Sequence, residues 1–189
     1  LKRIDETSYV WLDNFTIKNL ELLSSSELNG SSLIDIIDQT CTPMGARMLR
    51  NWLLFPLKDI NEINNRLEFV DFFKNNNKML EEATSLLSDV GDLERMLSKI
   101  ATLRISPREL NKIKESLILC NNLKALLIAN KDLSSLRELF SDYSDSLDLI
   151  ERLDTQLNPN APVQLTKGGV IQSGICEELD TYRELALSS

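Results

Sequence analysis

From Ser31 to about residue 157, apolar residues recur three and four positions apart, in stretches that open on capping residues and close on proline or asparagine. Side chains at such positions share one side of a helix of about 3.6 residues per turn. A strand needs strict alternation, so the pattern commits most of the chain to packed helices. Ser32 is placed to cap a short helix through Asp38. Thr42 is placed to cap the next, with Pro43 at the first helical position, where its missing N–H costs nothing. Asp59 with Glu62 three residues on predicts a capping box, followed by a stripe of Ile60, Ile63, Leu67, Val70 and Phe73. The asparagines at 75–77 break that helix. Further helices are expected near 78–88 and from about Asp92 to Leu103, the latter with Leu93, Leu97 and Ile100 on one face. Ser106-Pro107-Arg108-Glu109 is the clearest start signal in the chain. The helix it opens is expected to run to about Ala129 along Leu110, Ile113, Leu117, Cys120, Leu123 and Leu127. Helices at roughly 133–141 and 146–157 follow.

Two segments depart from this texture. The opening run around Tyr9 to Leu22 alternates and is rich in β-branched and aromatic residues, so an extended segment with edge-strand character is expected, leading into a short helix near 14–23. Val163–Leu165 and Val170–Gln172, separated by Lys167-Gly168-Gly169, predict a small β-hairpin. A helix then resumes near Glu177 with Leu179, Tyr182 and Ala186 at helical spacing. The expected fold is mostly α: a multi-helix core with one small β-hairpin and a short extended N-terminal segment. Its expected divisions are residues 1–23, the extended segment and entering helix; 24–158, the helical core; and 159–189, the hairpin and the start of another helix.

With 42% of its 189 residues hydrophobic, the chain can bury one sizeable core or two subdomains. No apolar run approaches the roughly 18 residues that span a bilayer, and the opening residues do not read as a secretory leader. Cys41, Cys120 and Cys176 are odd in number and far apart, with neither a disulfide framework nor metal-ligand spacing. Reduced thiols in a cytoplasmic protein are expected. The chain has no histidine, which removes the commonest general base and metal ligand. Its net charge of −8 makes it a poor free-standing binder of phosphate backbones, which calls for a basic surface. There is no G-x-x-x-x-G-K-[S/T] loop, no G-x-G-x-x-G after a strand and no nucleophile elbow. No catalytic, cofactor-binding or metal-binding residue is therefore assigned.

The segment Thr42-Pro-Met-Gly-Ala-Arg-Met-Leu-Arg-Asn-Trp-Leu-Leu-Phe-Pro-Leu57 places Gly45 near the middle of an apolar arc formed by Met44, Met48, Leu49, Trp52 and Leu53. A glycine inside a helix costs about 1 kcal/mol against alanine, so close approach of another backbone is the expected return. Two readings of Arg47 and Arg50 beside Trp52 are open: a stacking or phosphate site, or surface arginines paired to neighbouring acids. The second is favoured.

Five segments taken in order resemble the core (lever) domain of the MutS family of DNA mismatch-repair proteins. They are YVWLDNFTIKNLEL, TPMGARMLRNWLLFPL, INEINNRLEFVDFF, VGDLERMLSKIATLRISPREL and GGVIQSGICEELDTYREL. The match covers nearly the whole chain. Its most specific pieces are Gly45, Arg47, Leu49, Trp52, Leu53, Pro56 and Leu57, then Gly91, Asp92, Leu93, Glu94 and Arg95. The resemblance implies a non-enzymatic domain whose lever helices join an ATPase domain to a clamp that holds mismatched duplex DNA. It implies connector, clamp and ATPase domains as neighbours, a homodimeric parent, and ATP with Mg held in an ATPase domain outside this chain, with no cofactor here. It further implies that the chain stops within a lever helix leading toward the clamp. Gly45, Arg47, Trp52, Pro56, Asp92 and Arg95 are accordingly expected to serve packing and transmission rather than ligand binding. The alternative is a helical module that itself contacts the DNA backbone.

Overall fold

The computed structural model describes residues 8–129 and 140–188. Within them the chain is mostly helical: α1 (Asn14–Asn19), α2 (Leu33–Ile37), α3 (Pro43–Leu54), α4 (Ile60–Asn75), α5 (Asn77–Ser88), α6 (Leu93–Ala101), α7 (Pro107–Ile128), α8 (Leu147–Gln156) and α9 (Glu177–Leu187). Of the helix expected at 133–141, only residues 140 and 141 are described, and they form a turn. The chain divides into two compact units, each assembled from two separate stretches. The first combines Leu1–Ser88 with Leu123–Asp142, the second Asp89–Asn122 with Tyr143–Ser189. Helix α7 contributes residues to both.

In the first unit the opening segment is extended but pairs at a single antiparallel bridge, Tyr9 with Leu57. Val10 N–H donates to the Pro56 carbonyl at 2.8 Å, and Lys58 N–H to that of Ser8 at 3.1 Å. The Tyr9 ring meets Phe55 edge-on at 6.4 Å. Ser32 and Asp35 close a full capping box at α2: the Ser32 N–H and hydroxyl both donate to Asp35 Oδ2, and Asp35 N–H returns to Ser32 Oγ. Asp59 caps α4 by accepting from Asn61 and Glu62 N–H. Asn76 ends that helix, its amide donating to the Phe72 carbonyl at 2.8 Å.

The stripe expected along α4 is rotated. Ile60, Leu67 and Val70 are exposed, while Phe72 is buried against Leu127, with Phe69, Phe73, Met79, Leu123 and Phe140 around it. Three phenylalanines on one side bury more area than Leu67 and Val70 on the other, so the aromatic side faces inward.

In the second unit Asp92 caps α6 and the Ser106–Glu109 box opens α7 as expected. The inward residue of α6 is Met96, whereas Leu97 and Ile100 are exposed. Along the part of α7 in this unit Ile113 is buried, and so are two polar residues, Asn111 and Ser116.

The expected hairpin does not form. Leu165–Lys167 is a 3-10 turn, and Val170–Gln172 pairs instead with the end of α8 through a bridge between Leu157 and Ile171. Asn158 N–H donates to the Val170 carbonyl and Gln172 N–H to that of Gln156. Gly168, with φ 67° and ψ −167°, does not adopt the backbone of a type I′ hairpin turn.

Candidate functional site

The residues singled out in the sequence do not converge on one site. Gly45, Arg47, Trp52 and Pro56 belong to the first unit, Asp92 and Arg95 to the second.

Gly45 lies in the first turn of α3, and its N–H donates to Thr42 Oγ1 at 3.0 Å. A Cβ there would meet Thr42 Oγ1 at 3.0 Å and Thr40 Cβ at 3.4 Å. The close approach of another backbone predicted for this glycine is not what crowds it: the nearest atoms are side-chain atoms of Thr42 and Thr40, in the segment leading into the helix. The reason is position: at the third helical residue, the chain folding into the cap is nearer than any neighbouring element.

Trp52 is not a core residue. It remains 43% exposed, and the guanidinium of Arg66 from α4 lies 3.8 Å from its ring centroid. The arginine stacked on this ring is therefore neither Arg47 nor Arg50. Arg50 sits where its charge helps hold the Asp35 and Asp38 carboxyls below their ordinary range. The larger causes there are hydrogen bonds from Ser32 and Thr40. Arg50 thus lies near acids, but among the described residues no ion pair joins it to either of them. Arg47 is exposed. The Pro56 carbonyl takes the Val10 N–H and so ties the opening segment to the end of α3. Asp92 and Arg95 are brought together only through the cap, Arg95 N–H donating to Asp92 Oδ1 at 3.2 Å.

The second unit carries fastenings that sequence reasoning missed. Ser116 is fully buried in the apolar side of α7. Its hydroxyl donates to the Lys112 carbonyl at 2.7 Å and accepts from Gly91 N–H at 2.9 Å. Asn111 donates to the Asn158 carbonyl at 2.8 Å, fixing the turn after α8 onto α7. Lys99 pairs with Glu109, which also takes the Ser106 N–H, and these contacts lower the Glu109 carboxyl from 4.5 to about 2. Lys114 reaches Asp154 of α8 at 2.8 Å. At the base of α9, Arg183 donates to the Ile171 carbonyl at 2.8 Å and pairs with Asp180, whose other oxygen accepts the Gly174 N–H at 2.6 Å. The only sequence signal for these was polar residues interrupting an apolar stripe, as Ser116 and Asn111 do.

The arrangement offers framework and little chemistry. Among the described residues no group of three or more Cys, Asp or Glu is placed to hold a metal ion, and no helix is long and apolar enough to cross a membrane. Burial pushes the Cys120 thiol above its ordinary value, away from nucleophilic behaviour. The one glycine-rich turn, Lys167-Gly168-Gly169, follows a 3-10 turn and opens no helix, so it lacks the strand-loop-helix cradle that nucleotide phosphates require.

Comparison with known proteins adds the family. Residues 15–187 match the family described as MutS domain III. The protein of Christiangramia forsetii called DNA mismatch repair protein MutS is 43% identical over 189 residues, all of this chain and 22% of that protein. The proteins of the same name from Flavobacterium johnsoniae and Parabacteroides distasonis are each 41% identical over 189 residues, again 22% of their length. The chain thus spans about a fifth of these relatives. A helical framework held by caps and buried polar fastenings, matched along nearly its whole length, belongs to the MutS domain III family.

Proposed function

We propose that this segment carries nucleotide state between an ATPase domain and a DNA-holding clamp of a mismatch-repair protein, both outside this chain, and catalyses nothing itself. The supporting observation is α9. Its base is fixed by Arg183 on the Ile171 carbonyl and by Asp180 on Gly174 N–H. Beyond that base Tyr182 is 62% exposed and Leu185 57% exposed. A helix anchored at one end and bare of cover along an apolar side is suited to move as a body and to pack against a further element. On this reading its neighbours are the connector, clamp and ATPase domains of a cytoplasmic, homodimeric parent. ATP and Mg are held in that ATPase domain, and mismatched duplex reaches the segment only through the parent.

Calorimetric titration of the chain with nucleotide and with duplex DNA tests the reading. The expected result is no nucleotide binding, and no duplex affinity tighter than about micromolar near physiological salt. Stoichiometric nucleotide binding would make the segment itself the nucleotide site. Tight, salt-sensitive duplex binding would make it a module that contacts the DNA backbone.

A further inference from the structure

Beside the start of α7 lies a groove of about 840 Å³ whose charge is opposite to that of the chain as a whole. Its walls carry Lys99, Arg104, Arg108 and Lys112 against two carboxylates, Glu109 and Glu115, in a chain of net charge −8. The lysines are engaged, Lys99 with Glu109 and Lys112 with Glu115. Arg104 and Arg108 are exposed, and among the described residues neither guanidinium has an ion-pair or hydrogen-bond partner.

Their placement is built by the fold. Leu103 takes a left-handed backbone with φ 54°, and Arg104 N–H returns to the Lys99 carbonyl, so Arg104 leaves the end of α6 at a fixed point. Arg108 follows Pro107 in the first turn of α7, a turn locked by the reciprocal Ser106–Glu109 bonds. The locked backbone fixes where the two side chains start, so binding an anion orders the side chains alone and not the loop that carries them. Pro159 and the exposed Val163 complete the rim.

We propose that this groove docks an acidic polypeptide segment, with carboxylates on Arg104 and Arg108 and an apolar side chain against Pro159 and Val163. The guanidinium fork matches a carboxylate in bidentate geometry. A nucleic-acid backbone is the poorer occupant. Its phosphates have nothing to bury against Pro159 and Val163, whereas a peptide can pair isolated carboxylates with an apolar side chain there.

The probe is a short fluorescent peptide in which glutamates alternate with leucines, titrated into the full chain and followed by anisotropy near physiological salt. Saturable binding is expected. Arg104→Gln with Arg108→Gln should weaken it by about tenfold or more, whereas Arg95→Gln, an exposed arginine outside the groove, should not change it. Val163→Asp, which adds a negative charge at the rim, should also weaken it. A urea midpoint shared by all variants establishes that folding is intact. The proposal is overturned if the peptide does not bind, if Arg95→Gln weakens it equally, or if a lysine–leucine peptide binds as well. It is also overturned if duplex DNA binds more tightly through the same two arginines, which would make the groove a backbone-phosphate site.

Discussion

Replacing Gly91 with alanine probes the packing of the second unit at its tightest point. An added Cβ would lie 2.9 Å from Met96 Cε, 3.2 Å from Lys112 Cγ and 3.3 Å from Ser116 Oγ, inside the roughly 3.5–4.0 Å of an unstrained carbon contact. The Met96 methyl ends a flexible chain and can swing aside. Ser116 cannot, because its hydroxyl is held between Gly91 N–H and the Lys112 carbonyl. Overpacking of this kind costs about 1–3 kcal/mol. Stiffening of the unfolded chain by the alanine returns about 0.4–1 kcal/mol. The expected net destabilisation centres on about 1 kcal/mol. Both tryptophans, Trp11 and Trp52, belong to the first unit, so their fluorescence would miss the effect. Amide hydrogen exchange along α6 and the early turns of α7 reads it directly. In a Ser116→Ala background one of the three contacts is gone, so the alanine at position 91 should cost less there, a coupling of about 1 kcal/mol. Exchange in these helices that is unchanged or slower in Gly91→Ala would refute the reasoning.

Two further outcomes follow from the caps. The Glu109 carboxyl, lowered to about 2 chiefly by Lys99 and then by the Ser106 N–H, contributes stability that is present above the unfolded value of about 4.5 and lost as pH falls through about 2. Partial exposure of the pair limits the loss to about 1 kcal/mol, and Lys99→Gln should flatten the acid limb; equal limbs in both proteins would contradict this. At Gly45, alanine gains about 1 kcal/mol of helix propensity against a 3.0 Å contact with Thr42 Oγ1, so its urea midpoint should barely move. Leucine, which must displace Thr40, should lose about 1–3 kcal/mol, and an unmoved midpoint for the leucine variant would show the cap segment to be loose.

The helix starts were legible in the sequence because a cap is a local contract: Ser32 with Asp35, Thr42 with Pro43 and Ser106 with Glu109 involve neighbours within three residues. Which side of a helix faces inward was less legible. In α4 a competing side carried three phenylalanines and Phe72 turned inward with them, while in α6 Met96 turned inward beside Gly91 of a separate segment. The hairpin failed for a similar reason. Two β-prone runs around two glycines describe a local possibility, and the chain preferred to pair Ile171 with Leu157. The polar fastenings, Gly91 on Ser116 across 25 residues and Asn111 on Asn158 across 47, are non-local and left no periodic trace. The family was visible because it rests on ordered segments, which do not depend on knowing their partners.

A segment that transmits, as proposed for this one, must be stiff to do so. The direct measurement is ATP-triggered release of a mismatched duplex by the full-length parent carrying Gly91→Ala, alongside its nucleotide-free mismatch affinity and its ATP hydrolysis. Coupling between sites is typically worth about 1–3 kcal/mol, so a loosened second unit should cut the ATP-induced change in affinity about fivefold or more. Mismatch affinity without nucleotide and the hydrolysis rate should stay within about twofold. An unchanged ATP-induced change, in a variant whose α6 and α7 amides exchange faster, would contradict the account.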